Sequence, residues 1–246
     1  MEVLVVVGVV LLLLALLVPS LTAARERVRR VVCANNLHHW GATSQYYRDD
    51  YGDYLPTEGT YFNLEKPYSW FNVLPPYLDA PAYCEIERIG GSIREFPELH
   101  VWICPSKLQT AAYKSGSGKN QFHYGMNQVL DGIGSEEHPS TDAPGFPDQG
   151  DDPIWARVYA KHPHTVFMFD IAPNSPAGTP RSVATQYQRS FSGGHVGKFH
   201  GDSANVLYLN GAVGHCRTDD LVTGRNFRDG DVRWNHPELY WGYRPP

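Results

Sequence analysis

Signatures of catalysis are scarce in this chain. It has no nucleophile elbow, no paired-histidine zincin helix and no phosphate-binding loop. The nearest approach to a phosphate loop, Ser115-Gly116-Ser117-Gly118-Lys119-Asn120, lacks the required spacing and the hydroxyl after its lysine, and it reads as a flexible turn. Ser106 has no base placed near it in sequence, which leaves a serine-hydrolase reading without its second member. Positive charge is also thin. Outside Arg25, Arg27, Arg29 and Arg30 no basic stripe exists, and a net charge of −5 argues against a dedicated nucleic-acid binder. No internal repeat suggests a solenoid or an array. Cysteine is limited to Cys33, Cys84, Cys104 and Cys216; in an exported chain that even number permits two disulfides in any of three pairings.

What the chain does have is concentrated at its start. From Val3 to Val18 every residue is Val or Leu except Gly8 and Ala15, and no charge returns until Arg25. The run is long enough to cross a bilayer as a helix. Its Leu and Val residues supply on the order of −4 to −8 kcal/mol of insertion free energy. Thr22-Ala23-Ala24, after Pro19, also passes as a signal-peptidase site, but no basic region precedes the apolar run.

The helical pattern continues past the apolar run. Cys33, Leu37, Trp40, Ser44, Tyr47 and Tyr51 recur at spacings of 4, 3, 4, 3 and 4, which puts them on one face, with Asn35, His38, Gln45 and Asp49 elsewhere. Gly52 and Pro56 end it, giving a rod of about 75 Å with Pro19 as a point for a kink. The expected organisation is a transmembrane anchor over 1–24, an amphipathic continuation over 25–56 and one β-rich head over 57–246.

Within the head, Trp70-Phe71-Asn72-Val73-Leu74, Val101-Trp102-Ile103-Cys104 and Thr165-Val166-Phe167-Met168-Phe169 read as strands between Pro- and Gly-rich connections. Residues 132–153 form a long polar connection. Asn210-Gly211, between Ala204–Leu209 and Ala212–Cys216, is a strong hairpin signal. A two-residue loop pairs Leu209 with Ala212, Tyr208 with Val213 and Val206 with His215. Cys33 lies on the stripe that faces the head, and Cys104 is its preferred disulfide partner; a buried free thiol is the alternative.

Several of these segments carry a resemblance. Glu2 before Val3 to Leu17, then Val18-Pro19-Ser20-Leu21, is similar to the N-terminal segment of type IV pilins and type II secretion pseudopilins. Ala24-Arg25-Glu26, Cys33-Ala34-Asn35-Asn36-Leu37 and Tyr47 to Pro56 resemble a large bacterial branch of that superfamily. His200, followed after nine residues by Asn210-Gly211, resembles the branch's H-x9-D-G motif with Asn in place of Asp. Cys104-Pro105-Ser106 and Tyr124-Gly125-Met126-Asn127 are similar to segments of its heads.

The resemblance implies an α+β, pilin-like fold: a long helix packed on an antiparallel sheet. It implies a non-catalytic structural subunit of a pseudopilus or type IV pilus-like fibre, single-pass in a bacterial inner membrane, with the head in the periplasm or at the cell surface. Glu2 then serves fibre assembly. The implied partners are copies of the chain, other pilin-like subunits, inner-membrane components of the secretion system, and a prepilin peptidase acting on a basic leader encoded upstream of Met1. A different class is an anchored surface protein that binds a glycan or protein through aromatic residues such as Tyr240, Trp241 and Tyr243.

No cofactor is required by this reading. Asp148, Asp151 and Asp152 match no EF-hand, and a solvated acidic loop explains them more simply than calcium. His195, His200 and Asp202 offer donors for a transition metal, and through it a hydrolase, but their spacing fits no zinc signature. The simpler reading is that they order a glycine-rich approach to the hairpin.

Overall fold

The structure, a computed structural model, describes residues 2–53, 55–56, 69–89, 101–109, 122–127, 164–171, 196–198 and 200–221. Helix α1 runs without interruption from Glu2 to Asp50, 49 residues or about 74 Å. Leu and Ala favour helix, and the β-branched Val residues cost little in so long a segment. Pro19 lies inside α1, where Ser20 Oγ and Thr22 Oγ1 donate to the carbonyls of Leu17 and Val18. Gly52 and Asp53, with φ of 63° and 72°, turn the chain out of the helix.

The two halves of α1 meet different surroundings. From Glu2 to Arg25 every side chain is exposed, including the Val and Leu residues, and the stretch is long and apolar enough to cross a membrane once. From Cys33 onward a stripe of Cys33, Asn36, Leu37, Trp40, Gly41, Thr43, Ser44 and Tyr47 is buried. Tyr51, expected on the stripe, lies past the helix end and is 41% exposed, its ring stacked on Tyr47.

The stripe packs on an antiparallel sheet of four strands in chain order: β1 (Tyr124–Met126), β2 (Val166–Asp170), β3 (Ser203–Tyr208) and β4 (Val213–Arg217). The chain is therefore α+β. β2 is buried along its whole length, as its unbroken apolar run requires. Gly41 lies against the sheet, with no room for a side chain: a Cβ there meets Leu207 Cδ1 at 2.9 Å.

Two of the expected strands are something else. Trp70–Val73 is a short helix, α2, followed by a 3₁₀ turn over Pro75–Leu78 and by helix α3 (Tyr83–Arg88). A short apolar run buried on all sides lacks the alternation that marks a strand, and Pro75 and Pro76 have no N–H for a ladder. Val101–Cys104 is not a strand either. Two of its carbonyls are taken by the stem, Trp40 Nε1 donating to Val101 at 3.1 Å and Asn36 Nδ2 to Ile103 at 2.9 Å, and that of Cys104 accepts from Lys107 N–H in the following turn. Trp40, Trp70, Trp102, Phe71, Tyr83 and Phe122 form one aromatic cluster; Trp40 meets Trp70 and Trp102 edge-on, with centroids 5.4 and 4.9 Å apart.

The β3–β4 hairpin is offset by one residue from the two-residue loop. Leu207 pairs with Val213, Val206 with Gly214 and Asn205 with His215. The loop is Leu209-Asn210-Gly211, closed by Gly211 N–H donating to Tyr208 O, and only Gly211 takes a positive φ, 85°. The cause lies on β2: Leu209 N–H donates to Thr165 O at 2.8 Å, so it is unavailable to Ala212. Asn210 instead accepts from Ala212 N–H through its side chain.

Two substitutions test the stem–head contact by urea unfolding of the full chain in detergent, followed by circular dichroism. Trp40→Ala lowers stability by about 3–5 kcal/mol through lost burial. Gly41→Leu lowers it by about 1–3 kcal/mol through overpacking against Leu207.

Candidate functional site

Where α1 leaves its exposed half, polar groups from four parts of the chain converge. Glu26 comes from α1, Cys104 and Ser106 from the segment before the 3₁₀ turn Lys107–Gln109, Asp170 from the end of β2, and His200 from the turn into β3. That turn is tight. Gly201 and Asp202 have φ of 69° and 60°, the positive pair of a type I′ turn, and His200 N–H bonds to Ser203 O.

The imidazole of His200, its side chain wholly buried, stands between two carboxylates. Nδ1 is 3.3 Å from Glu26 Oε1 and Nε2 is 3.4 Å from Asp170 Oδ2. Nε2 is also 3.7 Å from Cys104 Sγ. Glu26 Oε1 accepts from Ser106 Oγ at 2.7 Å, and Oε2 pairs with Arg29 at 3.4 Å. Asp170 Oδ2 accepts from Asn205 N–H at 2.7 Å, while Oδ1 is buried with no hydrogen bond among the described residues.

Burial disfavours the charged form of His200, but the hydrogen bonds and negative charges of Asp170 and Glu26 outweigh it, and its pKa is raised. In its charged form the ring donates to both acids. His215 moves the other way, lowered by burial and by the neighbouring Arg30 and His200. A neutral ring protonated at Nδ1 satisfies both its contacts, donating to Asn205 Oδ1 at 3.2 Å and accepting from Arg30 at 3.4 Å. Lys107, fully buried, donates to Phe122 O at 2.7 Å; burial lowers its ammonium to about 7 against the pull of Asp170.

Cys33 and Cys104 are joined by a disulfide with a Cα–Cα separation of 5.0 Å, beside His200. Cys84 and Cys216 are not disulfide-bonded, so one of the two permitted bridges is present. No protein family, curated protein or solved structure matches this chain.

The structure contains the Cys33–Cys104 bridge preferred from sequence and brings His200, singled out separately, beside it. Asp202 is not among the acids that His200 meets. It is exposed, its carbonyl accepts from Thr218 N–H, and Glu26 and Asp170 stand at the ring instead. Asn210 and Gly211 shape the hairpin loop, which touches the stem at Gly41. Glu2 is exposed in the first turn of α1. His195, Asp148, Asp151 and Asp152 lie outside the described residues. Glu26, Ser106 and Asp170 were missed as members of the site. Asp170 had one signal, an acid closing an otherwise apolar strand, and Glu26 another, the lone acid inside an arginine cluster.

Because the folded-state pKa of His200 lies above its unfolded value, its contribution is complete below about pH 6.5 and fades as pH rises through the folded value. Lys107 has the opposite slope, since its folded value lies below the unfolded one. Comparing wild type with His200→Gln cancels the lysine. The gap between their urea midpoints should be widest below about pH 6.5 and narrow as pH rises through the folded value; a gap independent of pH assigns His200 to packing alone.

Proposed function

We propose that this chain is a non-catalytic structural subunit of a pilin-like fibre, of the kind that forms a type II secretion pseudopilus or a type IV pilus-like filament. One observation carries the reading: a single helix leaves its first two dozen residues wholly exposed and apolar, then buries its continuation in a small antiparallel head. A stem of that kind has two stable settings, a bilayer and a bundle of identical stems, and assembly is the transfer from one to the other.

In this reading the head lies outside a bacterial inner membrane, in the periplasm or at the cell surface. The stems of neighbouring copies and other pilin-like subunits form the fibre core, with inner-membrane components of the secretion system driving assembly after a prepilin peptidase has cut a leader. Glu2, in the first turn of α1, neutralises the amino terminus of a neighbouring copy, which is how a carboxylate is tolerated among packed apolar helices.

Single cysteines placed between Val3 and Val18 test the proposal, with oxidative crosslinking in cells that express the full chain. A fibre gives ladders of oligomers whose spacing is one subunit, and Glu2→Ala weakens them. Monomers throughout favour the other class, an anchored surface protein that binds through its head.

A further inference from the structure

We propose that the reduced form of this chain binds a thiophilic divalent cation of the zinc class through Cys33 Sγ, Cys104 Sγ and His200 Nε2, with the Asp170 carboxylate as fourth ligand. The ligand atoms of Cys33, Cys104 and His200 all lie within 4.8 Å of one another, and all three residues are buried. In a tetrahedral zinc site with bonds of about 2.3 Å to sulfur and about 2.0–2.1 Å to nitrogen or oxygen, ligand atoms stand roughly 3.3–3.8 Å apart. Two of those edges already exist: Nε2 to Cys104 Sγ is 3.7 Å and Nε2 to Asp170 Oδ2 is 3.4 Å. The two sulfurs must separate, and the Asp170 carboxylate, which lies outside the group of Cys33, Cys104 and His200 ligand atoms, must shift toward them.

Two further features fit an ion. Asp170 is completely buried and its Oδ1, the oxygen not facing His200 Nε2, takes no hydrogen bond among the described residues, so that oxygen is left for a cation once the carboxylate turns toward the sulfurs. The far nitrogen of His200 faces Glu26 Oε1, the carboxylate–histidine arrangement that orients a metal-bound imidazole. Glu26 is itself fixed by Ser106.

The chemistry balances simply. A phosphine or dithiol reductant supplies two electrons and is itself oxidised, the sulfur–sulfur bond breaks, and two protons give two thiols; binding one cation releases both thiol protons and, from the charged form of His200, the Nε2 proton as well. The consequence is a second way of tying stem to head. Oxidising surroundings keep the disulfide, and reducing surroundings with available zinc replace it with a metal clip between the same two sulfurs. This inference does not depend on the fibre.

The test uses the full chain in detergent micelles, reduced with a phosphine that is then removed, and titrated with cobalt(II) as a spectroscopic probe. Expected are one cobalt per chain, tetrahedral ligand-field bands in the visible, a thiolate charge-transfer band in the near ultraviolet, and bleaching by zinc. The double variant C84S/C216S keeps the spectrum, and His200→Ala loses it. Glu26→Gln weakens zinc binding by about 10- to 100-fold. X-ray absorption on the zinc-loaded wild type needs no variant and should show two sulfur neighbours at about 2.3 Å with the rest nitrogen or oxygen. An octahedral spectrum, no binding by the reduced wild type, or a signal that disappears in C84S/C216S overturns the proposal.

Discussion

A helix exposed along its first half and buried along its second must find partners for its side chains within a turn or two, and the contacts of the described residues are arranged around how α1 does so. Between Glu26 and Cys33 it passes from full exposure to complete burial. A charged contact comes first, Glu26 with Ser106 and His200, then a covalent one, Cys33 with Cys104, then apolar packing through Leu37, Trp40 and Tyr47. The sequence of contacts matches the decline of water along the helix. A partly exposed carboxylate is placed where solvent still reaches it, and the indoles where it does not.

The polar cluster is more demanding than the aromatic one. Asp170 and His200 are buried, and a charge in that position is tolerated only while its counter-charge and hydrogen-bond donors stay in place. Removing one member therefore disturbs more than that member's own contacts, because it leaves the others uncompensated. The aromatic cluster has no such dependence. Its rings contribute by area and by edge-on contacts that tolerate small shifts.

How much of this was legible in the sequence varied with the range of the interaction. The buried stripe from Cys33 to Tyr47 was readable because helical periodicity is a local property, and β2 because four consecutive apolar residues, Val166 to Phe169, ahead of an acid leave few alternatives. Trp70–Val73 was misread as a strand because a run buried on every side has no alternation to display. The hairpin was found but placed one residue out. Its register depends on Thr165 claiming the Leu209 amide, a contact between residues 44 positions apart that no local pattern encodes. The site itself was legible only in pieces. The Cys33–Cys104 pair was readable because the helical stripe faces the head, but the arrival of His200 beside it depends on a segment that only tertiary packing brings there.

The Cys33–Cys104 bond spans a sequence separation of 71 and so closes most of the early head into a ring. In the chain-entropy account, closing such a loop stabilises the fold by about 4 kcal/mol. Its mechanical effect is distinct. A pull on the stem enters the head at Cys104 directly, bypassing everything from Ala34 to Ile103, so a backbone cut within that ring leaves stem and head in one piece and the tension path unbroken.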